Sequence, residues 1–263
     1  MANFELRRPA SVAEALEDLA VGGVPYCGGT ELVPIMQMGL MAPEILVDLK
    51  RVRSLGGIRE DGDEIVLGAR VTHDEAEGSP LVRRHASVLA EATSRLGNAR
   101  VRATGTLAGN ICFAEPRSDV LTALLALEAR VDLRSATGSR MVDVADFVEG
   151  AFTTVREEEE LLAAIRIPAQ ISRSAYVRFQ PGEYPTVAVA VVQGSASCRV
   201  VVGAVGEIPG VFTFPRVEDV DAAQIAAEVD VTEDLGGRED YKRHVTGVFV
   251  RRAVARLAEG SLA

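Results

Sequence analysis

Two short stretches are built from residue types that hold anions. The first is Cys27-Gly28-Gly29-Thr30-Glu31-Leu32, which follows the apolar run at 24–27. Adjacent glycines let the main chain turn sharply and approach a ligand closely. The N–H groups of such a turn form an anion-binding concavity, and the Thr30 hydroxyl adds a donor. The second is Gly105-Thr106-Leu107-Ala108-Gly109-Asn110, where small residues alternate with hydrogen-bonding ones. Asp119 lies nine positions beyond Asn110. A carboxylate there can accept bonds from sugar hydroxyls or stabilise the start of a helix. Each feature also has a plainer reading: a glycine pair can simply join a strand to a helix, and Asp119, read alone, is first a helix-start residue.

Other chemistries lack their signatures. No G-x-G-x-x-G follows a strand, and no P-loop, H-E-x-x-H or G-x-S-x-G is present. His73, His85 and His244 are scattered, and none is close in sequence to either glycine stretch. Cys27, Cys112 and Cys198 form no C-x-x-C pair and are too few for a four-cysteine iron–sulfur cluster. Cys27 reads as a small buried hydrophobe, and no metal site is expected. With 28 Lys and Arg against 38 Asp and Glu, the net charge is −10, a poor balance for neutralising nucleic-acid phosphates. The start lacks a secretory pattern, and no apolar run approaches a membrane span, so a cytoplasmic chain is expected. Glu157 to Glu160 read as a solvated turn, and Met36, Met38 and Met41 as packing residues.

The elements that must position the two stretches follow from periodicity and helix-start signals. Ser11 and Glu14 form a capping box opening a helix to Leu19. Strands are expected at 24–27 and 45–49, with a helical turn at 32–38 interrupted near Pro34. These make a first lobe, 1–54. A second lobe, 55–168, holds strands at 63–69, 129–135 and 160–168. Its helices start at the Thr72–Glu75 capping box, span 86–96, follow Ser118 and occupy 143–148. A third part, 172–263, has strand-like runs at 175–180, 186–194 and 197–206, an antiparallel pattern, and then helices at 221–229 and 239–258. Hydrophobic residues make up 48% and Trp is absent, so the core must be aliphatic.

Taken together and in order, these segments resemble a known family. YCGGTELVPIMQMG is similar to the first flavin-diphosphate loop of the FAD-binding subunits of molybdenum hydroxylases. That family includes the medium subunit of aerobic carbon monoxide dehydrogenase and the FAD domain of xanthine dehydrogenase. TGTLAGNICFAEPRSD resembles the second loop, T-[IL]-G-G-N followed by A-x-P-x-S-D. FVEGAFTTVREEEELLAAIRIP and DLGGREDYKRHVTGVFVRRAVARL resemble later segments. The resemblance implies an α+β, VAO/PCMH-type FAD-binding fold: two α/β lobes plus a C-terminal antiparallel sheet with helices.

It also implies a site. Tyr26, Cys27, Gly28, Gly29, Thr30, Glu31 and Leu32 would wrap the diphosphate, with Thr106, Gly109 and Asn110 on its other side. Asp119 would take a sugar or ribityl hydroxyl. Leu161 would pack near the isoalloxazine, Arg178 and Gln180 would approach its polar edge, and Tyr184 would lie beside it. The FAD would be non-covalent, and no catalytic residue is implied. The partners implied are a small subunit with [2Fe-2S] clusters and a large molybdopterin subunit, as a dimer of heterotrimers. Electrons would pass from the clusters through this subunit to an external acceptor. The chain departs from the pattern twice: Ala108 stands where a glycine is usual, and FQPGEYPT is shorter than the usual basic segment. Two other readings are a stand-alone flavin oxidase or dehydrogenase, and a flavin-free interaction subunit.

Overall fold

The computed structural model describes residues 3–169 and 173–259. Ser11 starts the first helix, Val12–Leu19, by accepting from the Glu14 N–H at 3.2 Å. Ala15, Leu16 and Leu19 are the buried face of this helix. It stands beside a three-stranded parallel sheet ordered Glu5–Arg7, Ile45–Asp48, Gly23–Tyr26. The last of these strands runs directly into the first glycine stretch.

A five-stranded antiparallel sheet forms the second layer, ordered Ile58–Asp61, Glu64–Gly68, Leu161–Pro168, Arg130–Ser135, Gly138–Asp143. Its central strand, Leu161–Pro168, is apolar along nearly its whole length. Helix Asp119–Ala126 is capped by Ser118, whose Oγ accepts from the Leu121 N–H at 3.1 Å. All eight residues of this helix are buried, which explains why its sequence is apolar all round rather than striped.

The C-terminal sheet is antiparallel, with strands Arg173–Phe179, Val187–Gln193, Cys198–Gly203 and Gly210–Phe214. Both of its faces are covered. Ala188, Ala190 and Val192 join the core of the preceding lobes, while Val187, Val189 and Val191 pack with helices Ala222–Glu228 and Glu239–Glu259. The two faces differ in residue size because the first is pressed against helix Asp119–Ala126. A Cβ on Gly203 would stand 2.1 Å from Thr122 Oγ1, so only glycine permits that approach. The edge strand Gly210–Phe214 is not among the runs read from sequence; its short alternating pattern leaves every residue at least partly exposed. Among the described residues, no helix is long and apolar enough to cross a membrane.

Candidate functional site

The first glycine stretch links strand Gly23–Tyr26 to helix Leu32–Gln37. Gly29 has φ +72°, and a Cβ there would lie 2.5 Å from Tyr26 Cε2. Both the backbone and the space therefore demand glycine. Among the described residues, the N–H groups of Gly28 through Glu31 donate to no protein acceptor, leaving a row of donors at one bend. Pro34 does not interrupt the helix: it sits in the first turn, where a missing N–H costs nothing.

The second stretch is more helical than its glycines suggest. Asn98 caps helix Ala99–Thr104 by accepting from the N–H groups of Arg100 at 3.0 Å and Val101 at 3.1 Å. The chain bends at Gly105, and Thr106 caps a second helix, Leu107–Phe113, accepting from the Gly109 N–H at 3.0 Å. Ala108 lies inside this helix with negative φ, so its extra methyl is accommodated without strain. The Asn110 Oδ1 accepts from the Ser118 hydroxyl at 2.5 Å, tying the stretch to the cap of the next helix.

The two stretches meet backbone to backbone. A Cβ on Gly28 would lie 2.4 Å from the Thr104 carbonyl oxygen and 2.8 Å from Gly105 Cα. Around this contact lies a cavity of about 260 Å³. Its wall includes Tyr26, Cys27, Gly28, Gly29, Thr30, Glu31 and Leu32 from the first stretch, and Thr106, Gly109 and Asn110 from the second. Leu161, at the start of the central strand, also lines it and is buried. Eleven residues singled out in the sequence thus converge on one cavity.

Burial raises the Glu31 carboxyl above its usual range, and the neighbouring Glu115 adds to the shift. Burial likewise raises the Cys27 thiol, against the opposing charges of Arg70 and Lys50. Cys112, also in the wall, is pushed up to about 11 by burial. Both thiols are therefore protonated near neutral pH and poorly nucleophilic.

Four of the residues carried over by resemblance are not in this wall. Asp119 is buried, and its carboxylate accepts from the Tyr176 hydroxyl and the Arg178 guanidinium. Burial raises its pKa, opposed by Arg178 and Tyr176. Arg178 also donates to the Arg95 carbonyl, so its charge is committed to this cluster. Gln180 donates to the Glu183 carbonyl at 2.7 Å. Tyr184 is 48% exposed, with the Arg117 guanidinium 4.1 Å over its ring. The carboxylates of Glu115 and Glu31 raise the Tyr184 hydroxyl after burial and Glu183 do.

Sequence reasoning missed His73, which lines the cavity although it is far from either stretch in the chain. The only sequence signal was the Thr72–Glu75 capping box, present here in full, which fixes a helix start at His73. Two other readings need correction. Glu157 to Glu159 are exposed, but Glu160 is buried and takes two bonds from Arg140, at 2.7 and 2.9 Å. Met36 is buried, whereas Met38 is exposed and Met41 reaches the cavity wall. Among the described residues, no group of three or more His, Cys, Asp or Glu could hold a metal ion.

Residues 2–170 match the family described as FAD binding domain in molybdopterin dehydrogenase. The chain belongs to this family. Family membership makes it a flavoprotein chain of the oxidoreductase class. One relative is the carbon monoxide dehydrogenase medium chain of Afipia carboxidovorans, 32% identical over 97% of this chain and 96% of that protein. Another is the nicotine 6-hydroxylase medium subunit of Paenarthrobacter nicotinovorans, 29% identical over 94% of each. Among solved structures, a chain of quinoline 2-oxidoreductase from Pseudomonas putida 86 superposes with a TM-score of 0.91 at 26% identity, covering 99% of both chains. The α+β, PCMH-type FAD-binding fold expected from the resemblance is the fold found. The residues present are compatible with such a group: a diphosphate is held by main-chain N–H donors, and those of Gly28 to Glu31 have no protein acceptor among the described residues.

Proposed function

We propose that this chain is the electron-transfer subunit of a molybdenum-hydroxylase-type dehydrogenase, with FAD held non-covalently between residues 1–54 and 55–168 and residues 172–263 as its C-terminal domain. The observation that carries the reading is the convergence of the two glycine stretches and Leu161 on one cavity. Gly28 to Glu31 would cradle the diphosphate, with Thr106, Gly109 and Asn110 facing them. Tyr26, Cys27, Leu32 and Leu161 would give the apolar walls that exclude water. FAD, when bound, supplies one- and two-electron redox chemistry; the chain's task is to hold and orient it.

For Asp119, the geometry favours a buried anchor over a sugar contact, because its carboxylate is already engaged by Tyr176 and Arg178. Gln180 and Tyr184 are not among the residues of the cavity wall.

The relatives are named as medium chains or subunits, which supports a multi-subunit assembly. We expect a small iron–sulfur partner with [2Fe-2S] clusters and a large molybdopterin partner, as a cytoplasmic dimer of heterotrimers. Electrons would arrive from the clusters and leave to an external acceptor. Affinity purification of the tagged chain co-expressed with its partners tests this. A complex containing molybdenum, iron and acid-releasable FAD, whose flavin bleaches on substrate addition, is the expected result. A lone chain turning over a small molecule with its own flavin would establish a stand-alone enzyme instead.

A further inference from the structure

His73 opens helix His73–Gly78, behind the N-cap Thr72. Its backbone N–H donates to the Gly105 carbonyl at 3.1 Å, and Thr72 bridges to Thr106. The start of this helix is therefore fixed against the second glycine stretch. A Cβ on Gly105 would lie 3.0 Å from Thr30 Oγ1 and 3.2 Å from His73 Cδ2. The imidazole, the Thr30 hydroxyl and Gly105 thus surround one point at the seam between the two stretches, and both His73 and Thr30 line the cavity.

The ring is 2% exposed, and its buried Nδ1 has no hydrogen-bond partner. Buried polar groups are rarely left unpaired in native proteins, and each exception calls for an explanation. Arg102 supplies part of one. Its Nε is also buried without a hydrogen-bond partner, 3.9 Å from the Glu77 carboxylate, and its charge, after burial itself, favours the neutral form of the His73 ring. With no acceptor in reach of the buried Nδ1, a proton there would be an unpaired donor, so the single proton of a neutral imidazole sits on Nε2, bonded to the Cδ2 that faces the seam.

We propose that His73 is a further cofactor-binding residue, whose neutral imidazole donates its Nε2–H to an oxygen of the FAD diphosphate where the two glycine stretches meet. The inference rests on the reading of this cavity as an FAD site. It gives the ligand's charge a neutral, buried donor that complements the main-chain N–H row. It also assigns a role to a polar side chain placed where an apolar one would have packed without an orphaned nitrogen.

The test uses the full chain, freed of flavin and titrated with FAD, for wild type, His73→Leu and His73→Gln. The Gln amide nitrogen reaches the place of Nε2, so this variant should bind within about threefold of wild type, while His73→Leu should bind at least about tenfold more weakly, the worth of one lost hydrogen bond. Thermal unfolding of the flavin-free proteins should show His73→Leu at least as stable as wild type, since leucine removes an unpaired buried group; a purely structural role would lower it. In ¹⁵N-histidine-labelled protein, FAD should bring an Nε2–H resonance of His73 into slow exchange with water. Equal affinity of wild type and His73→Leu would overturn the proposal while leaving the FAD site standing. A wild-type chain that takes up no FAD would overturn both. Flavin remaining on wild-type protein after acid precipitation, but not on His73→Leu, would make His73 an attachment point and overturn the hydrogen-bonding role.

Discussion

Arg178, on the first strand of the C-terminal sheet, donates to the carboxylate of Asp119 at the first turn of helix Asp119–Ala126, and their side chains are only 14% and 5% exposed. The pair joins the C-terminal sheet to the lobe that carries the second glycine stretch. Removing one partner of a buried pair strands the other's charge and costs about 3–5 kcal/mol. Arg178→Met should therefore lower the unfolding free energy by about that much in chemical denaturation, and adding Asp119→Leu should recover part of the loss. If Asp119 served a flavin hydroxyl instead, Asp119→Asn would weaken FAD binding while leaving flavin-free stability unchanged.

Gly29 combines φ +72° with a Cβ position 2.5 Å from the Tyr26 ring. Gly29→Val should lose FAD binding, because a β-branched side chain resists that backbone conformation and displaces Tyr26 from the cavity wall. The backbone strain alone should cost roughly 1–3 kcal/mol. Gly28→Ala should separate the two stretches, since its methyl would meet the Thr104 carbonyl, and raise the FAD dissociation constant. Quenching of flavin fluorescence on titration measures both; wild-type affinity in either variant would remove this turn from the site.

Released cofactor should be FAD rather than FMN, because two separate glycine-containing stretches converge on one cavity. Chromatography of the acid supernatant decides between them. FMN as the sole flavin would show that the second stretch serves another ligand.

His73 should make the flavin-free chain acid-sensitive. Burial, with the Arg102 charge, lowers its pKa from 6.5 to about 4. A histidine depressed in the folded state binds its proton more weakly there than in the unfolded chain. Its contribution is thus whole above pH 6.5 and is lost as pH falls from 6.5 toward 4, by roughly 3 kcal/mol in all. Unfolding free energies measured across that window should fall, and His73→Leu should flatten the slope. An identical slope in the variant would show that other groups carry the acid sensitivity.

Glu160 titrates in the opposite sense to a buried, unpaired acid. Its hydrogen bonds from Arg140 hold its pKa below the usual 4.5 against desolvation, so the stabilisation is present above pH 4.5 and is lost as pH falls through the lowered value. Arg140 is 44% exposed, which limits the pair to about 1 kcal/mol. Glu160→Gln should lower stability by that amount at pH 7 and by less at pH 3, as read from urea midpoints.

Much of this architecture is local, and local signals carried it. Ser11, Thr72, Ser118 and Asp221 each accept from the first turn of the helix they begin, so side-chain chemistry within three residues fixes where those helices start. The φ of Gly29 and the pattern of the two glycine stretches are likewise written in adjacent residues. The long apolar runs at 161–168 and 187–193 announce strands covered on both faces. What adjacent residues could not determine is which side chains meet across tens of positions. His73 enters the cavity because a bridge between Thr72 and Thr106 brings its helix to Gly105. Asp119 turns from the cavity because Tyr176 and Arg178, on a strand fifty-seven and fifty-nine residues further on, reach its carboxylate first. Glu160 is withdrawn from a run of exposed glutamates by Arg140 on another strand. For His73 and Asp119 desolvation is the largest influence, whereas for Glu160 the hydrogen bonds from Arg140 outweigh it; both effects depend on everything packed around a group and are settled only when the chain has folded.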